Sequence, residues 1–267
     1  MKRIIDAHCH IYPDAIAERA VRGIGSFYDL PLVYRGTLSD LIEVEDRVGI
    51  TNGVIFSVAT TPHQVGSINR FIAEVAEKSN GRFVGLGALH PDSETLKEDI
   101  ENILSLGLRG VKLHPDFQKF KIDDYRCLKI FELCEGRLPV LLHTGDARYD
   151  FSNPYRLAPV LSIFTELTVI GAHFGGWSVW DDAEALLTEY PNFYVDTSSS
   201  LYAMTPERAR RLLCKYGASR VLFATDYPMW RLEDELAHME ALGLSEAEKE
   251  LIFFQNAARI FGFPEQG

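Results

Sequence analysis

The chain has 267 residues, of which 46% are hydrophobic and 24% charged, with 20 Gly and 12 Pro, proportions that supply a full apolar core and exclude disorder, collagen-like repeats and coiled coil. Charge interrupts every apolar run well short of the ~18 residues of a bilayer span, and Asp6 and His8 arrive before a secretory apolar core is built, so a cytoplasmic protein with no membrane partner is expected. With 27 Lys+Arg against 38 Asp+Glu the net charge is -11, which repels phosphate and argues against nucleic acid as a partner.

A short strand is predicted over residues 3–8, followed by a long interruption, 11–37, that carries Tyr12, Phe27, Tyr28, Tyr34 and Arg35 and is expected to act as an active-site loop or lid. From there the periodicity alternates: helix 40–48, strand 53–58, helix 67–77, strand 83–88, helix 94–106, strand 110–114 and helix 124–135. The same rhythm continues through strand 139–143, helix 155–164, strand 167–173, helix 180–189, strand 192–196, helix 206–216, strand 220–225 and two closing helices, 232–242 and 245–261. Such alternation implies parallel strands joined by helical crossovers. A length prior of about one domain per ~150 residues suggests two domains. Eight strand signals without a linker instead predict one (β/α)8 TIM barrel over residues 1–267, with an open doubly wound sheet as the alternative. The four cysteines, Cys9, Cys127, Cys134 and Cys214, form no CxxC pair and are expected to be buried free thiols.

In a barrel, the loops after the C-terminal strand ends build the active site. Here those ends read Asp6-Ala7-His8-Cys9-His10, Lys112-Leu113-His114, Leu142-His143, Ala172-His173 and Ala224-Thr225-Asp226. Strand alternation is expected to put Asp6, His8 and His10 on the interior face, with Ala7 and Cys9 toward the helices. The same alternation puts Lys112 and His114 on the interior, since Val111 and Leu113 suit the opposite face. Taken singly, each has a plain reading: His63, His90 and His238 are expected to be satisfied structural histidines, and Asp226 in Thr225-Asp226-Tyr227-Pro228 suits a turn. Taken together, two imidazoles on one strand, a third from another and a carboxylate from a fourth make a donor set suited to Zn2+, and also to Mn2+ or Fe2+.

The strings Ile5-Asp6-Ala7-His8-Cys9-His10, Gly110-Val111-Lys112-Leu113-His114-Pro115 and Ala224-Thr225-Asp226-Tyr227-Pro228 resemble the amidohydrolase superfamily. The likeness is to its amidohydrolase-related branch of TIM-barrel metal-dependent hydrolases, which also contains decarboxylases. It runs through nearly the whole chain, and HxH followed by His, His and Asp in barrel order is specific where HxH alone is weak. The resemblance implies that His8, His10, His143 and Asp226 bind one divalent metal per chain, most often Zn2+, with His173 catalytic beside it. Lys112 and His114 are candidates for a second metal or for substrate contact.

The activity implied is a metal-dependent hydrolase, in which activated water attacks a C–N or C–O bond of a small carbonyl compound while Asp226 takes the water proton and His173 orients it. The alternative is non-oxidative decarboxylation of a small carboxylic acid, with His173 or Asp226 delivering a proton to carbon. Arg35, Arg148, Arg156 and Arg231 are candidates to clamp a substrate carboxylate, and Trp177, Trp180 and Trp230 to shape an aromatic-accepting pocket. A metal-free lactonase and a non-enzymatic scaffold are further alternatives. A structural zinc normally closes four positions at short spacing, whereas these ligands span the whole chain. A homodimer is expected by analogy alone.

Overall fold

The computed structural model describes residues 3–263. Its strands are β1 (Ile5–His10), β2 (Asn52–Phe56), β3 (Phe83–Gly85), β4 (Gly87–Ala88), β5 (Val111–Leu113), β6 (Val140–Leu142), β7 (Val169–Gly171), β8 (Phe193–Asp196) and β9 (Val221–Leu222). Every pairing is parallel, in the orders β1-β2-β3 and β4-β5-β6-β7-β8-β9. The predicted third strand is thus one run that changes sheets at Leu86, whose N–H donates to Ile55 O at 3.0 Å while Gly87 N–H donates to Gly110 O at 2.8 Å. At the opposite seam Ala7 N–H donates to Phe223 O at 2.9 Å and His10 N–H to Tyr227 O at 2.8 Å, and Cys9 bridges Tyr227 in parallel. These bonds join last strand to first and close the eight-stranded TIM barrel.

The helices are α1 (Asp14–Tyr28), α2 (Leu38–Val48), α3 (Val65–Lys78), α4 (Leu96–Ser105), α5 (Pro115–Gln118), α6 (Tyr125–Cys134), α7 (Pro154–Ile163), α8 (Trp180–Leu187), α9 (Pro206–Tyr216), α10 (Leu232–Ala241), α11 (Glu246–Glu250) and α12 (Asn256–Phe261). Their limits follow from local chemistry. Thr37 caps α2 by accepting from Asp40 N–H, and Gly49 ends it with a positive φ of 81°. Thr205 caps α9 in the same way, with Pro206 in the first turn where its missing N–H costs nothing. The interruption at 11–37 is not all loop, for it contains the fifteen-residue α1, whose apolar residues recur at helical spacing at Ile16, Ala20, Ile24 and Phe27. Its polar and aromatic content hid that period from the sequence reading.

Two cores result. One lies inside the barrel, where Ile5, Ala7, Val54, Phe56, Leu86, Leu141, Ile170, Leu222 and Ala224 pack together with Ala257, Ala258, Phe261 and Phe263 of the C-terminal stretch. The other, larger one lies between strands and helices and includes Val111, Leu113, Val140, Leu142, Val169 and Val195. Strands buried on both faces explain why they read as continuous apolar runs. Cys9, Cys127 and Cys134 are buried free thiols as expected, whereas Cys214 is exposed. Among the described residues no helix is long and apolar enough to cross a membrane.

Candidate metal centre

The site begins with an irregularity in β1. Asp6 pairs with Gly53 but Cys9 with Ile55, so β1 spends three steps where β2 spends two. This bulge reverses the facing of the strand midway. Ile5 and Ala7 point into the barrel core, yet His8 and His10 also line the mouth while Cys9 packs outward. The expectation that Asp6 shares the face of His8 and His10, and Ala7 that of Cys9, is therefore corrected. The Asp6 carboxylate accepts from Thr225 Oγ1, from Thr225 N–H at 3.0 Å and from His8 N–H at 3.1 Å. Its donor atom groups with those of Cys9 and Glu45 rather than with the histidines. Burial pushes its pKa up to about 6.

His8 Nδ1–H donates to Asp196 Oδ2 at 2.8 Å, which leaves Nε2 with its lone pair toward the mouth. That Nε2 stands 3.3 Å from His10 Nε2 and 3.4 Å from Asp226 Oδ1, and His10 Nε2 stands 3.6 Å from the same oxygen. Three donors each ~2.0–2.2 Å from one tetrahedral centre would lie ~3.3–3.6 Å apart. Burial, reinforced by neighbouring Lys112 and His173, holds His8 and His10 well below the ordinary imidazole range, so both are neutral. His10 Nδ1 has no partner. Asp226 is pushed up to about 7 by burial, against the opposing hydrogen bond from Ser199 Oγ at 2.5 Å and the charge of Lys112. Neutral imidazoles and a carboxylate at this spacing fit a divalent cation.

A second imidazole pair adjoins this set. His143 Nε2–H donates to Gly145 O at 3.1 Å and His173 Nδ1–H to Ser198 O at 3.0 Å. Carbonyl oxygens only accept, so the two remaining nitrogens, His143 Nδ1 and His173 Nε2, meet as bare lone pairs 3.0 Å apart. His143 is not among the three residues whose donor atoms mutually lie within 4.8 Å; it groups instead with His114 and Asp116. It stacks on His114 with ring centroids 3.9 Å apart. His114 Nε2 meets the Tyr28 hydroxyl at 2.9 Å, which brings α1 to the mouth.

Lys112 is buried with Nζ 3.4 Å from His8 Nε2 and 5.1 Å from the centre of the Phe56 ring. Burial draws it down to about 8, opposed by Asp196 and Asp226. The left-handed backbone of His173 (φ 61°), Phe174 (52°), Ser199 (45°) and Asp226 (60°) gathers at this same rim. Non-glycine residues tolerate that region at a cost of about 1–3 kcal/mol each, a concentration typical of functional sites. Gly145, at φ 79°, lets the backbone pass so close to Gly176 that a Cβ would lie 2.6 Å from its carbonyl carbon.

Sequence reasoning missed Asp196, which orients both His8 and, through its other oxygen, the His173 N–H at 3.0 Å. The available signal was a carboxylate ending the seventh predicted strand. Ser198 and Ser199 were missed as well, having no distinguishing spacing, whereas Tyr28 belongs to the segment expected at the active site. The arginines expected to clamp a carboxylate are largely engaged: Arg35 with Asp40, Arg148 bidentate with Asp146, and Arg156 with Asp123 and Asp150. Arg231 is not among the residues lining the mouth. Trp177 and Trp230 border it, while Trp180 packs its loop by donating Nε1–H to His173 O at 2.9 Å.

A family model described as Amidohydrolase matches residues 5–263. A gamma-resorcylate decarboxylase from Rhodococcus jostii (strain RHA1) is 24% identical over 248 residues, covering 72% of this chain and 74% of its own. An uncharacterized TIM-barrel protein from Bordetella bronchiseptica superposes with a TM-score of 0.80 at 24% identity, covering 97% of this chain and 98% of its own. A dihydroxybenzoic acid decarboxylase from Polaromonas sp. JS666, solved with bound manganese and the inhibitor 2-nitroresorcinol, does so with a TM-score of 0.74 at 18% identity, covering 98% and 97%. A match from the first strand to the end of the last helix, over a barrel that gathers five histidines and Asp226 at one rim, means that the chain belongs to the amidohydrolase family.

Proposed function

We propose that this protein is a metal-dependent, non-oxidative decarboxylase of a small carboxylic acid. The observation that carries the reading is the charge inventory of the mouth. Its lining has five neutral imidazoles, one ammonium at Lys112 and one carboxylate at Asp226. With a divalent cation held by His8, His10 and Asp226, that lining is net positive and selects an anion. His143, through its bare Nδ1, would complete the set, and Lys112 serves the substrate rather than a second metal. The resorcylate and dihydroxybenzoic acid decarboxylases among the relatives support the same substrate chemistry.

The metal, when bound, supplies Lewis acidity toward the substrate's carboxylate or hydroxyl oxygen; manganese in one relative supports a divalent ion, with Zn2+ our first choice for this chain. Lys112 adds a second positive contact in a water-poor site, where charge pairing is strong. His173, fixed by the Ser198 carbonyl, orients the substrate by accepting at Nε2 from its hydroxyl. Asp226, which burial holds near 7, takes up a proton from solvent and passes it on: as the bond from ring carbon to carboxylate breaks, CO2 leaves, the carbon keeps the electron pair and takes the proton, and Asp226 returns to the carboxylate.

Hydrolysis is the second reading, favoured by one feature: the space beside the ligand set is about 20 Å³, room for one water. The test is incubation of metal-reconstituted protein with 2,6-dihydroxybenzoate and, in parallel, with lactones, esters and amides. Release of carbon dioxide and resorcinol is expected. Lactone, ester or amide cleavage without carbon dioxide from any aromatic acid overturns the proposal in favour of hydrolysis.

A further inference from the structure

The recess at the metal centre is too small for an aromatic acid: about 20 Å³ beside the ligand set, with a further recess of about 10 Å³ against Trp177 and Trp230. Next to it, beneath α1, lies a chamber of about 500 Å³, the size of a small-molecule site. One face of α1, Ile16, Ala20, Gly23 and Phe27 at three- and four-residue steps, forms its roof, and Ile68 and Phe71 of α3 face it from below. Packed helices normally interdigitate, but here α1 stands off, and a Cβ built on Gly23 meets nothing within 4 Å. Ile24 and Phe117 line both this chamber and the metal recess, so they form the partition between the two. The Phe117 ring stacks on His114 with centroids 3.9 Å apart and meets Phe27 edge-on at 4.5 Å.

The lining is otherwise apolar or neutral, with Arg19 its one charged residue. Among the described residues Arg19 forms no ion pair, whereas Arg35, Arg148 and Arg156 are engaged by carboxylates. We propose that this chamber holds the apolar ring of the acid, with the reactive carboxylate reaching the metal centre past Ile24 and Phe117 and a second anionic or polar substituent turned toward Arg19. The inference rests on the decarboxylase reading for the identity of the reactive group, but not for the existence of the chamber as a site for aromatic anions.

The test uses the metal-loaded full chain and the fluorescent aromatic anion 1-anilinonaphthalene-8-sulfonate, with carbon dioxide release followed separately. Gly23→Leu and Ala20→Leu fill the chamber; the first raises helix propensity and the second nearly keeps it, so folding is preserved, and circular dichroism and metal stoichiometry confirm it. Saturable binding of one probe per chain is expected, weakened about tenfold or more by either filling substitution and several-fold by Arg19→Gln, with a parallel rise in KM for the acid. Probe affinity and KM that both filling variants leave unchanged would overturn the chamber assignment while leaving the decarboxylase reading intact. Probe binding lost on filling, with no carbon dioxide released from any aromatic acid, would overturn that reading while upholding the chamber.

Discussion

Asp196 shows how one buried carboxylate sets the state of a candidate ligand it never replaces. Its Oδ2 takes the His8 Nδ1 proton at 2.8 Å and its Oδ1 takes the N–H of Ser198 at 3.1 Å and of His173 at 3.0 Å, so the imidazole presents Nε2 and only Nε2 to the mouth. Partners of this kind typically change metal affinity 10- to 100-fold. Asp196→Asn is expected to weaken zinc binding by about that factor, read by competition with a chelator, while the circular dichroism spectrum is unchanged. An equal affinity in the variant would mean that His8 is oriented by packing alone. Glu235 offers a test of a different kind. It is 1% exposed, Oε2 has no partner, and burial, with Asp226 and Asp6 adding to it, pushes its pKa up to about 8 from 4.5. The folded state therefore keeps a proton that the unfolded chain releases. The benefit is present below about pH 4.5 and is lost progressively as pH rises to about 8. Glu235 by itself is expected to contribute a decline on the order of 4 kcal/mol across that window. Glu235→Gln should remove that share of the decline, in urea melts at constant metal; an unchanged pH slope would contradict the assignment.

At the scale of elements, α1 connects the first strand to function. It is held at its C-terminal end by Arg148, whose Nη1–H donates to Phe27 O at 2.8 Å and whose guanidinium lies 5.0–5.3 Å from the rings of Phe27, Tyr28, Tyr149 and Trp177. Of the α1 residues only Ala17 is fully buried, so little apolar packing opposes its release. We propose that α1 serves as the lid expected of the segment 11–37. Arg148→Ala is expected to raise amide hydrogen exchange across residues 16–28 about tenfold or more, with the barrel strands unaffected. Unchanged exchange there would show that α1 is anchored by its own packing. The bulge in β1 is the other decisive element, because a regular strand would have kept His8 and Cys9 alternating with the core residues and turned His8 and His10 away from Asp226.

For the whole molecule, closure matters most. The ring of parallel strands is sealed at one end by residues 257–263, with Phe261 1% exposed among Ile5, Val54 and Leu86. Phe261→Ala should cost about 3–5 kcal/mol through lost burial and the cavity left behind. The expected readout is a lower denaturant midpoint with an unchanged slope; a midpoint within error of the parent would mean that the plug is not part of the cooperative unit. The other end of the cylinder stays polar, and there five strand ends and their loops bring together residues as far apart as His8 and Asp226.

What the sequence determined by itself is what repeats locally or depends on type: eight apolar runs, the crossover helices between them, and the polar residues that end five of those runs. Periodicity reports which residues are buried, and donor chemistry reports which could meet a cation, so the barrel and most of the site were legible. Only the tertiary structure decided which face His8 and Asp6 take, since a one-residue bulge leaves no mark in a pattern of period two. It alone paired Asp196 with His8 across 188 residues and left a chamber under α1. Orientation and empty space belong to packing between distant segments, and no single segment carries a record of them.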